Sequence, residues 1–156
     1  MPLSKLTEYL DSHDKKYMVI KHSNAYTAQE VAASAHIPGR EMAKTVMANI
    51  DGKMSMIVTP STHIVDFDRV KDALGITEAD LASEEEFKDL FPGCELGAMP
   101  PFGNLFNMDT YVAEALAEDE EIAFNAGNHR ELVKMRYDDF EELVEPTVIA
   151  LAKRYA

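Results

Sequence analysis

Residues Ala43 to Val58, AKTVMANIDGKMSMIV, place the strongest constraint on how this chain can fold. Two apolar runs meet at Asp51-Gly52. Such a pair between apolar runs marks a two-residue β-hairpin, because both turn positions need a positive φ. The hairpin is expected at the centre of a sheet. Alternation along its first strand groups Lys44 with Val46, Ala48 and Ile50, and leaves Ala43, Thr45, Met47 and Asn49 on the other side. A lysine on an apolar face costs desolvation energy unless its ammonium reaches water, a carboxylate or a ligand. Either Lys44 begins the strand and snorkels outward, its stem covering apolar surface, or the ammonium belongs to a site.

The flanking segments alternate between helix and strand signals. Ser4 is the expected N-cap of a first helix running to about Ser12, with Leu3, Leu6 and Leu10 on its apolar side. A short strand is expected at Tyr17 to Ile20. Thr27-Ala28-Gln29-Glu30 is a capping-box pattern opening a helix that should stop near Ile37, before Pro38-Gly39. Beyond the hairpin, Asp66 should cap a helix carrying Val70, Ala73 and Leu74 and closed by Gly75. A strand at Ala79 to Leu81 leads to a second capping box, Ser83 to Glu86, with Phe87 and Leu90 facing inward.

Phe91 to Gly103, FPGCELGAMPPFG, holds three glycines and three prolines and must be a shaped loop. A strand from Asn107 to Val112, a helical or turn segment from Ala113 to Ala117, and a strand from Glu121 to Asn125 follow. Asn125-Ala126-Gly127-Asn128-His129 reads as a turn, Glu131 to Met135 as a strand, and Tyr137 to Val144 as an acidic helix ended by Pro146. No linker or repeat divides the 156 residues. The expected fold is α+β, a single domain over residues 1–156 on one mixed β-sheet with flanking helices.

Cys94 is the only cysteine, so no intramolecular disulfide can form and a reducing cytoplasm is the expected compartment. The N-terminal stretch has no uninterrupted apolar core and no later stretch is long enough to span a bilayer, so no membrane association is expected. The net charge of −13 opposes broad nucleic-acid binding, which draws its affinity from lysine and arginine displacing counterions, and no DNA partner is expected. It leaves room for a local basic mouth, since Lys5, Lys15, Lys16, Lys21, Arg40 and Lys44 all lie in the first third. The acidic C-terminal helix reads most simply as a solvated face, or else as a docking surface for a basic partner.

Motifs for covalent catalysis are scarce. There is no G-x-S-x-G elbow, and nothing beside Cys94 marks it as a thiolate, so water is the expected attacking group. His63, Asp66 and Asp68 have a metal-like spacing but are better explained as a strand end and a helix N-terminus. Neither a metal nor a nucleotide cofactor is expected. The two glycine loops could aim backbone N–H groups at a developing oxyanion, or could simply reverse the chain. His129 could be a hydrogen-bonding or acid/base group near neutral pH, or a solvated loop residue.

Three features coincide in order and spacing: Ala43-Lys44-Thr45, Gly97-Ala98-Met99-Pro100-Pro101-Phe102-Gly103, and Asn125-Ala126-Gly127. Together, across about Thr27 to Leu143, they resemble the YbaK/EbsC family, related to the editing domain inserted in bacterial prolyl-tRNA synthetases. The resemblance implies a mixed-sheet α+β fold and an aminoacyl-tRNA deacylase that removes a small mischarged amino acid, cysteine or alanine, from proline tRNA in trans. It implies that Lys44 is the functional lysine, and that Thr45, Gly97, Pro101, Gly103, Asn125, Gly127 and His129 bind substrate. His129 is similar to a histidine carried by alanine-specific relatives, whereas Lys44-Thr45 looks more like the branch acting on cysteinyl-tRNA. The implied partners are the acceptor end of aminoacyl-tRNA and a prolyl-tRNA synthetase. Two rival readings are a silent binding module that contacts a synthetase or another protein, and a hydrolase of a small non-tRNA ester.

Overall fold

The computed structural model describes residues 2–22 and 27–154. In chain order, α1 (Pro2–Ser12) and β1 (Tyr17–Lys21) precede α2 (Ala28–Ser34) and the hairpin strands β2 (Ala43–Ile50) and β3 (Lys53–Pro60). Then come β4 (His63–Val65), α3 (Phe67–Leu74), β5 (Ala79–Leu81) and α4 (Glu84–Phe87). After the long loop follow β6 (Thr110–Ala113), α5 (Glu114–Ala117), β7 (Glu121–Asn125) and β8 (Glu131–Arg136). The chain closes with α6 (Tyr137–Val144), β9 (Thr147–Ile149) and β10 (Ala152–Arg154).

The hairpin is central, as expected. β2 and β3 pair from Ala43 with Pro60 to Ile50 with Lys53, and the turn sits on Asp51 (φ 52°) and Gly52 (φ 81°), the two positive φ values of a type I′ turn. Around it runs a mixed five-stranded sheet in the order β5-β2-β3-β6-β9, with β3, β6 and β9 mutually parallel and the other pairs antiparallel. The remaining strands form two further ladders, an antiparallel sheet β1-β8-β7 and the pair β10-β4. One parallel bridge, Met42 to Ala123, ties the three-stranded sheet to the approach of β2.

The main core fills the space between the two larger sheets, α1 and α6. Phe102 stands edge-on to Phe124 and Phe140 at centroid distances of 5.4 and 5.3 Å, with Leu6 and Leu10 of α1 buried against the same cluster. The Leu3 side chain lies outside the described residues. A second cluster packs Val31 and Ala32 of α2 over Ala123 and Leu132.

Several boundaries move from their expected places. Helix α1 begins at Pro2, not at Ser4; proline is tolerated in the first turn because its missing N–H would have no intrahelical partner. The Thr27 capping box forms as expected, but α2 ends earlier. His36 adopts φ 58°, its N–H donates to Ala33 and that of Ile37 to Ala32, so a left-handed closure stops the helix before Pro38 is reached. Helix α4 is one turn long, which buries Phe87 and leaves Leu90 exposed. Strand β6 starts at Thr110 because Asn107 takes φ 56° and the Met108 N–H folds back onto Gly103. Glu145, at φ 50°, closes α6 one residue ahead of Pro146.

Candidate active site

Lys44 and Thr45 lie at the start of β2, where that strand leaves the three-stranded sheet. From the Met42–Ala123 bridge both chains run in the same direction, so Lys44 on β2 and Asn125 on β7 stand two residues on, on the bridge's own face. No ladder joins β2 to β7 beyond that bridge among the described residues. The strands part there, and the two polar side chains mark the opening. Lys44 is half-buried. Asn125 is 8% exposed, and its Oδ1 has no hydrogen-bond partner among the described residues. A buried acceptor left in that state costs about 1–3 kcal/mol, a debt that a donor on a ligand would relieve.

Thr45 points to the opposite face of β2. Its Oγ1–H donates to the Met99 carbonyl at 3.1 Å and so fixes the glycine- and proline-rich loop to the hairpin. That loop is in turn laced to the Asn125–His129 turn. The Gly127 N–H donates to Ala98 at 2.8 Å, the Glu95 N–H donates to Gly127 at 2.8 Å, and the His129 ring donates through Nε2 to Leu96 at 2.9 Å. The Glu95 carboxylate accepts from the His129 N–H at 3.2 Å. His129 is 6% exposed, which overturns the solvated-loop reading.

Gly97 sits at the third position of a type II turn from Glu95 to Ala98, with φ 84° and the Ala98 N–H closing on Glu95 at 3.1 Å. A side chain there would be strained, and its Cβ would touch the His129 ring at 3.6 Å. The Gly97 N–H donates to no acceptor among the described residues. Pro101 is the centre of a three-residue turn in which the Phe102 N–H reaches the Pro100 carbonyl at 2.8 Å, a geometry suited to the fixed φ of proline. That turn drives Phe102 into the core. Gly103 is held by packing: a Cβ would stand 2.7 Å from the Met108 carbonyl oxygen and closer still to Thr110 Oγ1, which accepts from the Gly103 N–H.

Thus the structure brings Lys44, Asn125, Gly97, Gly127 and His129 to one region, with Thr45 and Pro101 behind them as supports. Gly103 faces β6 instead. Sequence reading missed Glu95 and the carbonyls of Leu96, Ala98 and Met99, which do the lacing. They lie in an aperiodic loop, and no residue type marks a carbonyl that will accept. The metal-like trio resolves as expected, because Asp66 Oδ1 accepts from the N–H groups of Asp68 and Arg69 as a helix cap. Among the described residues no cluster of three metal-ligating side chains occurs, and no helix is long and apolar enough to cross a membrane.

Comparison with known proteins places the chain in a family. The model of the aminoacyl-tRNA editing domain matches residues 22–143. Among curated sequences, the proline–tRNA ligase of Bacillus mycoides (strain KBAB4) is 26% identical over 107 residues, covering 69% of this chain. The chain matches only 19% of that ligase's length. The fold is shared with the crystal structure of a hypothetical protein (TM-score 0.84, 19% identity, 96% and 99% of the two chains). It is shared also with a candidate trans-editing enzyme for prolyl tRNA synthetase (TM-score 0.81, 19% identity, 97% of each chain). The chain belongs to the aminoacyl-tRNA editing domain family, in agreement with the YbaK/EbsC resemblance.

Proposed function

We propose that this protein clears a small mischarged amino acid, cysteine or alanine, from proline tRNA in trans, in the cytoplasm and alongside a prolyl-tRNA synthetase. The observation that supports the reading is the lacing of the two glycine turns to each other and to Thr45 at the start of β2, next to Lys44 and Asn125.

In the reaction, water adds to the ester carbonyl, the bond from carbonyl carbon to ribose oxygen breaks, and the ribose hydroxyl leaves with a proton. The products are a free amino acid and uncharged tRNA. The Lys44 ammonium holds the substrate carbonyl or the phosphate of the terminal adenosine. The Gly97 N–H is aimed at the oxygen on which negative charge develops. Asn125 Oδ1 accepts from the α-ammonium of the amino acid, which satisfies an acceptor otherwise buried alone. His129, locked to Leu96, walls the site behind Gly97 and limits the side chain that fits, as a second sieve does. An aminoacyl ester is already activated, so holding it beside water in the right geometry supplies much of the acceleration.

The test uses proline tRNA charged with cysteine, alanine, serine or proline, and follows the ester in the presence of wild type or Lys44→Ala. Loss confined to one small residue, and at least about 100-fold slower in the variant, is expected from removal of a charge that contacts the reacting group. Folded wild-type protein that deacylates none of the four, with or without prolyl-tRNA synthetase, would overturn the proposal.

A further inference from the structure

The cations of this acidic chain are unevenly placed. Alternation along β8 sets Lys134 and Arg136, and Arg130 just before it where the His22 N–H donates to the Arg130 carbonyl, on the face of the three-stranded sheet turned away from the main core. Cross-strand pairing adds Met18 beside Lys134, and Met18 is 60% exposed. With Lys16, these residues line a depression of about 310 Å³ on one flank. At the far end of the β1–β8 ladder, His22 and Arg130, with Lys21 and Glu131 from the sheet's other face, line a second depression of about 330 Å³. The middle of the face, at Ala123 and Leu132, is covered by α2.

Among the described residues of this face, the four cations Lys16, Arg130, Lys134 and Arg136 stand against two carboxylates: Glu121, 3.8 Å from Lys134, and Asp138, 3.5 Å from Arg136. Arg136 and Asp138 are both largely exposed, and exposed pairs of this kind are weak enough to be exchanged for a phosphate. Elsewhere the balance is steeply negative, since the whole chain carries −13. Arg130 to Arg136 spans about 20 Å along the strand, at about 3.3 Å per residue, enough for several successive phosphates.

The same sheet carries Asn125 at the opening described above, paired with Leu132 of β8. A ligand that leaves its 3′ end between Lys44 and Asn125 must send the rest of its backbone outward across the protein surface. We propose that this outer face is where the acceptor-stem phosphates of the substrate RNA dock, with Lys16, Lys134 and Arg136 on one flank of α2 and Arg130 on the other. The choice of RNA rests on the deacylase reading. The charge separation does not, and it explains how a protein so acidic holds a polyanion.

The test measures binding of a fluorescently labelled, uncharged proline-tRNA acceptor microhelix by anisotropy across a salt series. Three proteins are compared: wild type, the triple variant Lys16→Gln, Lys134→Gln, Arg136→Gln, and a charge-matched control, Lys53→Gln, Lys71→Gln, Lys88→Gln, altered away from this face. For the triple variant, the slope of log affinity against log salt should fall by roughly 2 to 3, with binding at least about tenfold weaker at low salt. The control should match wild type, and all three should melt together.

Equal binding by wild type and triple variant, equal loss in the control, or no microhelix binding by wild type at low salt would overturn the proposal. Aminoacyl-adenosine, which lacks the stem, separates this inference from the reaction: its turnover should be the same in wild type and triple variant. Microhelix binding through these cations without hydrolysis of any charged tRNA would leave the surface standing and remove the deacylase. Hydrolysis of charged tRNA with an indifferent triple variant would do the reverse.

Discussion

Two glycines of the one loop separate function from packing at the level of single atoms. Gly97 has open space on one side and a histidine ring at van der Waals distance on the other, so Gly97→Ala meets backbone strain of about 1–2 kcal/mol and little steric conflict. Its expected signature is a modest loss in urea unfolding with a large loss of deacylation, since the added methyl sits where substrate is proposed to lie. Gly103→Ala instead drives a methyl into the Met108 backbone carbonyl and the buried Thr110 side-chain hydroxyl. It should cost about 3 kcal/mol, the upper part of the overpacking range, with any activity loss explained by unfolding. Urea midpoints and deacylation rates measured on both variants check the pair. Both glycines stand out in the sequence, but only a neighbour's position reveals which is held for which reason.

At the level of elements, short helices here are defined by their ends. Helix α3 has eight residues, and Asp66 serves its first turn by accepting two N–H groups while lying 3.7 and 3.8 Å from Arg69 and Lys153. Asp66→Ala should therefore destabilise the protein by about 1 kcal/mol, read as a shift in urea midpoint, whereas Asp66→Asn should recover most of the loss. Capping signals of this kind were legible from sequence at Thr27, Asp66 and Ser83 because each is made within four residues of chain. Strands β4, β9 and β10 were not read as strands from the sequence. Each is a strand only by virtue of its partner: His63–Val65 pairs with Ala152–Arg154, and Thr147–Ile149 with β6.

For the whole molecule, acidity has one specific weak point. Asp119, between α5 and β7, has a carboxyl pushed up to about 6, chiefly by burial and then by the charge of Glu41, with Arg40 acting in the opposite direction. Its Oδ2 is buried without a hydrogen-bond partner among the described residues. A carboxyl whose folded pKa lies above its unfolded value is favoured protonated in the fold. Its contribution is fully present below about 4 and is lost as pH rises through about 6. Asp119→Asn should therefore raise the melting temperature at pH 7, and the gain should shrink as pH falls toward 4. A gain that is the same at both pH values would show that the carboxyl charge is not the cause.

What the sequence determined by itself was local. The hairpin and its turn, the helix caps, the irregular, shaped course of the Phe91–Gly103 loop and the anomalous position of Lys44 follow from chemistry confined to a few neighbouring residues. The family resemblance joined three such pieces in order, and the family match and fold agree with it. Only the tertiary structure decided how they meet: that Thr45 faces away from Lys44 to anchor Met99, that Gly127 and His129 hold the other loop, and that Gly103 serves the core. The physical reason is that the bonds lacing the loop, Thr45 to Met99, Gly127 to Ala98 and His129 to Leu96, join residues tens of positions apart through backbone carbonyls. Every residue carries a carbonyl, so its use is written in three dimensions rather than in the choice of side chain.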